Sequence, residues 1–134
     1  KVSYEINWED EKLKTLFIPK LCIEPVVENA MIHGIEPKDD RGYINVKIEQ
    51  QNNEVLLITV ADNGVGFDKD KVISGEKEGS PKVGLMNINR LINNLYGSEY
   101  GIEVESKIGK GTKVIIKLPY LEESCHNFKN SEIF

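Results

Sequence analysis

Two pairs of segments with period-two hydrophobicity, each turned back by a short polar link, constrain this chain more than any other feature. Tyr43-Ile44-Asn45-Val46-Lys47-Ile48-Glu49 alternates well, and residues 55–61 do the same after the link Gln51-Asn52-Asn53-Glu54. Further on, Ile102-Glu103-Val104-Glu105-Ser106 and Lys113-Val114-Ile115-Ile116-Lys117-Leu118 are joined across Gly109-Lys110-Gly111. Alternation at this period gives a half-buried strand, and links this short give hairpins. Residues 2–8 alternate loosely and read as a further strand, followed by a charged turn or short helix over 9–14.

The period then changes. Ile23, Val26, Val27, Ala30 and Met31 recur at helical spacing up to a natural stop at Gly34. Pro25 must sit in the first turn of that helix or kink it. Leu85, Ile88, Leu91, Ile92 and Leu95 form one face of a second helix over 84–96, closed by Gly97. Helices interspersed with hairpins predict an α/β (α+β) two-layer sandwich, with helices on one face of a mixed, mostly antiparallel sheet.

A length of 134 residues suits a single domain. It is expected to occupy residues 1–120, with 121–134 as a polar tail of no clear pattern. The net charge of −5 argues against nucleic acid as a partner and against docking on anionic lipid. Cys22 and Cys125 form no close pair, so neither a disulfide scaffold nor a zinc site is supported. No apolar run approaches the roughly 20 residues a spanning helix needs, and no signal peptide opens the chain. The reducing cytosol is the expected compartment. The first residue is Lys1 rather than Met, so the chain is expected to be a piece of a longer protein. Residues 68–83 are polar, aperiodic and long for a loop, as a lid would be.

Four elements could carry chemistry. Asn29 and His33 lie four positions apart, about 40° from one another on an ideal helix, with Glu28 about 100° away from Asn29. A solvated helix edge explains them, and so does an amide oxygen and an imidazole facing a ligand or a hard cation. Magnesium keeps most of its waters and takes one or two protein oxygens with substrate phosphates, so one Asn is enough. Asp62-Asn63-Gly64-Val65-Gly66 reads as a turn. Its two glycines could equally let backbone approach a flat ligand, beside a strand-end carboxylate that selects the amine of adenine over the carbonyl of guanine. Gly84-Leu85-Met86-Asn87 opens a helix, where free amides bind phosphate, although a simple N-terminal glycine suffices. Gly109-Lys110-Gly111-Thr112 reads as a hairpin turn.

In this order and spacing the four boxes resemble the catalytic ATP-binding domain of sensor histidine kinases, within the GHKL superfamily, and more narrowly the LytS/YesM type of bacterial two-component kinase. Ile18-Pro19 and Glu24-Pro25-Val26-Val27-Glu28-Asn29-Ala30 through His33-Gly34 match the N-box. Asp62-Asn63-Gly64-Val65-Gly66-Phe67 matches the first glycine box, Gly84-Leu85-Met86-Asn87 the second, and Gly111-Thr112-Lys113-Val114 closes the pattern.

The resemblance implies the Bergerat fold with a flexible ATP lid, and ATP and Mg²⁺ as cofactors. It implies that Asn29 coordinates Mg²⁺ between the phosphates, that Asp62 holds the adenine amine, and that Gly64 and Gly66 shape the adenine end. Gly84, Leu85 and Asn87 would meet the phosphates, His33 would lie close to them, and Thr112 would support the adenine through Asp62 or a water. Glu28 would orient or deprotonate the attacking group. The γ-phosphoryl group would pass to a His on a dimerisation domain of the same parent and on to a response regulator. The parent would be a homodimer anchored in the bacterial cell membrane, with this domain in the cytoplasm.

Two positions depart from the family pattern: Ile32 stands where many relatives carry Lys, and Leu91 where they often carry Arg. Lys77, Lys82 or Arg90 is expected to take part of the missing phosphate charge compensation. Neither His33 nor His126 lies in a segment resembling the acceptor region, so the chain is expected to bind Mg·ATP without completing phosphotransfer alone. An anti-sigma-type serine kinase and a non-catalytic nucleotide- or partner-binding module are the rival readings.

Overall fold

The computed structural model of the chain describes residues 2–15, 20–38, 40–68 and 81–120. In chain order the elements are strand β1 (Val2–Trp8), a 3₁₀ helix (Glu11–Thr15), helix α1 (Lys20–Asn29), a π-helical segment (Ala30–Ile35), strands β2 (Gly42–Gln50) and β3 (Val55–Asp62), helix α2 (Pro81–Tyr96), and strands β4 (Gly101–Lys107) and β5 (Gly111–Pro119). The five strands make one sheet in the order β1-β2-β3-β5-β4. β1 runs parallel to β2, and the other neighbouring pairs are antiparallel. The sheet is therefore mixed and mostly antiparallel, as the alternating segments require.

The strand alternation sorts the residues as expected. Ile44, Val46 and Ile48 of β2, Ile58 and Val60 of β3, and Val114, Ile116 and Leu118 of β5 are buried on the helix-covered face. Ile23 and Val26 of α1 and Leu85, Ile88 and Ile92 of α2 close that core. On the opposite face Tyr43 is exposed. Asp10 starts the 3₁₀ helix by accepting the Lys12 N–H on its carboxylate, 3.1 Å away.

Three details differ from the sequence expectations or refine them. Pro25 lies inside α1 rather than in its first turn, where it offers no N–H to the carbonyl four residues back. The second helix starts at Pro81, so Gly84 is its fourth residue and not its first. Leu95 is exposed and is not part of the buried face. The face is centred on Ile92, and Leu95 sits about 60° to one side of it at the end of the helix. Tyr96, on the other side, packs half-buried against the core and meets the Tyr100 ring edge-on at 6.5 Å.

Candidate functional site

The end of α1 is the first wall of the site. Past Asn29 the chain widens into the π-helical segment, with the Glu36 N–H donating five residues back to the Met31 carbonyl at 2.9 Å. Single π turns of this kind interrupt α-helices often at functional sites. The extra residue carries Gly34 against the end of β3. There the Val65 N–H donates to the Gly34 carbonyl at 2.9 Å. A Cβ on Gly64 would lie 2.3 Å from the Gly34 carbonyl carbon and oxygen, and one on Gly34 would lie 2.9 Å from an Asp62 carboxylate oxygen. The N-box and the first glycine box thus touch backbone to backbone, at a distance only glycine permits.

Asp62, the last residue of β3, is half-buried. Its Oδ1 accepts the Gly64 N–H at 2.8 Å. The Thr112 N–H, across the β3–β5 ladder, also donates to the carboxylate. Burial nevertheless raises its pKa above the usual aspartate value; the Gly64 and Thr112 N–H groups and the Lys38 charge pull it down, but by less. The folded chain therefore holds the Asp62 proton more tightly than the unfolded chain, and the stability this contributes is lost as pH rises through the folded value. Unfolding free energy, measured by urea denaturation across acid pH, is expected to carry this segment of slope in the native chain and to lack it in Asp62→Asn. Equal slopes would refute the assignment.

Gly66 follows with φ of +68°, a left-handed conformation, and a Cβ there would lie 2.1 Å from the Lys107 carbonyl oxygen. The loop is thus wedged between the π-helical segment and the β4–β5 hairpin. The Phe67 N–H donates to Ser106 Oγ at 2.8 Å, and Ser106 Oγ lies 2.7 Å from Thr112 Oγ1. Ser106 has no signal in the sequence by itself. It enters because the hairpin register sets it opposite Thr112.

Asn29, His33, Asp62, Gly66 and Thr112 line a single cavity of about 20 Å³, room for roughly one water. Phe67 borders it and also borders a hollow of about 330 Å³ between α2 and β4, lined by Leu85, Met86 and Arg90. Phe67 is the residue the two linings share, and the smaller cavity as it stands is too small for a nucleotide.

The other expected site residues lie elsewhere. Glu28 is exposed on α1, away from the cavity. Gly64 packs on Gly34 instead of lining the cavity. Leu85 belongs to the core, no described residue comes within 4 Å of a Cβ on Gly84, and Asn87 is exposed. Arg90 is exposed at the larger hollow. Most of the expected lid, Lys77 included, and the Lys82 side chain lie outside what is described. Two asparagines of α2 with no expected role fix the helix to β4: Asn89 Oδ1 accepts the Ile102 N–H at 2.8 Å, and Asn93 donates to the Tyr100 carbonyl.

Among the described residues, no group of three or more His, Cys, Asp or Glu side chains could hold a metal ion. A fully protein-ligated cation therefore does not fit here. Magnesium, which shares its coordination between water, phosphate and one or two protein oxygens, does. No helix of the described residues is long and apolar enough to cross a membrane.

Residues 19–122 match the model of the family described as histidine kinase-, DNA gyrase B-, and HSP90-like ATPase. The chain is 34% identical over 114 residues to the sensor histidine kinase YesM of Bacillus subtilis, covering 85% of this chain and 19% of that protein. It is 34% identical over 121 residues to the sensor histidine kinase YpdA of Escherichia coli, covering 88% of this chain and 20% of that protein. The chain thus spans about a fifth of the length of these relatives. Among solved structures it resembles the nucleotide-free catalytic domain of the histidine kinase ThkA, with a TM-score of 0.63 at 19% identity over 88% of this chain and 80% of that one.

Proposed function

Since this chain belongs to the family of histidine kinase-, DNA gyrase B- and HSP90-like ATPases, we propose that it is the ATP-binding catalytic domain of a sensor histidine kinase. The observation that carries the reading is the single cavity bordered by both Asn29 and Asp62. One supplies an amide suited to a magnesium–phosphate complex, the other a carboxylate suited to the adenine amine. ATP is the ligand, residues 1–120 form the domain, and 121–134 are a tail.

In this reading Asp62 accepts the exocyclic amine of adenine and Thr112 holds Asp62 in place. Gly66 lets the loop pass close to the base. Gly64 acts at one remove, by seating the loop on Gly34. Asn29 holds Mg²⁺ together with the phosphates, and His33 sits beside them. The first two turns of α2, with Gly84, Leu85 and Asn87, meet the phosphates. Mg²⁺ supplies charge neutralisation at the phosphates. Phosphoryl transfer needs positioning more than covalent help from the protein. Glu28, exposed on α1, orients the incoming acceptor. The acceptor is a His on a dimerisation domain of a homodimeric, membrane-anchored parent, and a response regulator takes the phosphoryl group next.

Titration with a fluorescent ATP analogue, with and without Mg²⁺, tests this. Binding is expected to be stronger with Mg²⁺, and Asn29→Ala is expected to weaken Mg·ATP binding about tenfold, the scale of one charge-assisted contact. The variant should leave Mg²⁺-free binding nearly unchanged. No binding by the native chain would instead leave a non-catalytic partner-binding role. With [γ-³²P]ATP the chain alone is expected to acquire no stable acid-labile label.

A further inference from the structure

Lys38 has no place in the reading above, yet it is built into the site. It follows the π-helical segment, and its N–H donates back to the Ile35 carbonyl at 2.9 Å. That fold-back aims a half-buried side chain at the first glycine box, where Lys38 Nζ donates to the Asn63 carbonyl at 2.8 Å. Asn63 is held from the other side too, its Oδ1 accepting the Tyr43 N–H at 2.8 Å. Asn63, the residue immediately after Asp62, is thus clamped between β2 and the Lys38 ammonium.

We propose that Lys38 is a positioning residue for adenine recognition: its ammonium fixes the loop after Asp62 and sets a positive charge beside the carboxylate that must accept the adenine amine. The proposal rests on the ATP-binding reading above and adds to it a residue that never touches the nucleotide.

The electrostatic setting favours this role. Asp62 pays a desolvation penalty that pushes it towards the protonated form, and a protonated carboxyl loses acceptor capacity. Several charged or titratable groups border Asp62. His33, in the π-helical segment, lines the same small cavity, and Glu105, Lys107, Lys110 and Lys113 share a hollow with it on the β4–β5 side. Lys38 is the one whose charge lowers the Asp62 pKa. Its position, set by the hydrogen bond to Asn63, is therefore also an electrostatic position.

The test compares the native chain with Lys38→Met, which keeps most of the aliphatic stem, and Lys38→Arg, which keeps the charge. Carboxyl-carbon NMR of the nucleotide-free domain follows the Asp62 titration directly. ATP affinity is measured in parallel from pH 7.5 to pH 5. Lys38→Met is expected to titrate Asp62 at higher pH than the native chain. It should also lose about two- to fivefold more affinity on acidification, the range of a partly screened charge pair. Lys38→Arg is expected to restore both. An unchanged Asp62 titration, or an affinity loss in Lys38→Met that is the same at every pH, would overturn the proposal and leave Lys38 a structural clamp. Absence of ATP binding by the native chain at any pH would overturn the functional reading, and with it any part for Lys38 in recognition, whatever Asp62 does in the NMR titration.

Discussion

Asp62→Asn is expected to weaken ATP binding about 100-fold or more while the domain stays folded. The carboxylate already accepts N–H groups from Gly64 and Thr112, and in the proposed complex it accepts the adenine amine as well. An ionised carboxyl has two acceptor oxygens for these three donors. An amide of the same shape has one oxygen, so its NH₂ must face a donor. Losing a hydrogen bond to a charged group weakens binding by about 1.5–3 kcal/mol, and leaving a buried donor unpaired adds about 1–3 kcal/mol. The fold is affected less, because the substitution is isosteric and removes a charge that burial already penalises. Calorimetric titration with ATP and GTP, beside far-ultraviolet circular dichroism, is the measurement. A folded Asp62→Asn domain with native ATP affinity would sink the assignment of the adenine end.

Gly64→Ala is expected to destabilise the domain severely. The added Cβ would meet the carbonyl carbon, oxygen and Cα of Gly34 at 2.3, 2.3 and 2.5 Å. These are backbone atoms and cannot rotate away. The loop and the π-helical segment would have to separate, breaking the bond from the Val65 N–H to the Gly34 carbonyl. Overpacking of this kind costs about 3 kcal/mol or more, which for a domain of this size lowers Tm by about 10 °C. Gly84→Ala is the control. Nothing among the described residues lies within 4 Å of its added Cβ, and exchanging glycine for alanine inside a helix stabilises by about 0.5–1 kcal/mol. Thermal melts of the two variants should therefore move in opposite directions. A Gly64→Ala melt within 2–3 °C of the native one, less than about 1 kcal/mol, would mean that the two glycine-bearing segments are not locked together.

Much of the architecture is written in local periodicity. The alternation in 43–49, 55–61, 102–106 and 113–118 set the strands, their hairpin pairing and the buried face, since period two leaves a side chain no choice of face once its neighbours are placed. The helical face of α2 was legible in the same way, and it failed only at Leu95, where the helix runs out of partners to cover it. The parallel pairing of β1 with β2 was not legible. It depends on a crossover through α1, and no turn residue announces it.

The site divides along the same line. Residues 29, 33, 62, 66 and 112 were named from motif order and type, and they do border one cavity. Glu28 and Asn87 shared those motifs, yet they are exposed and away from it. A one-residue step on a helix turns a side chain by about 100°, and motif membership says nothing of where that turn ends. Lys38 and Ser106 were invisible, because each acts through a backbone or hydroxyl partner more than 20 or several residues away, respectively. The chain by itself determined which elements form and which side chains could serve a nucleotide. Tertiary structure decided which of them meet, since that depends on the backbone contact of Gly34 with Gly64 and on the register of β5, and distances between segments far apart in sequence are fixed only when the core closes.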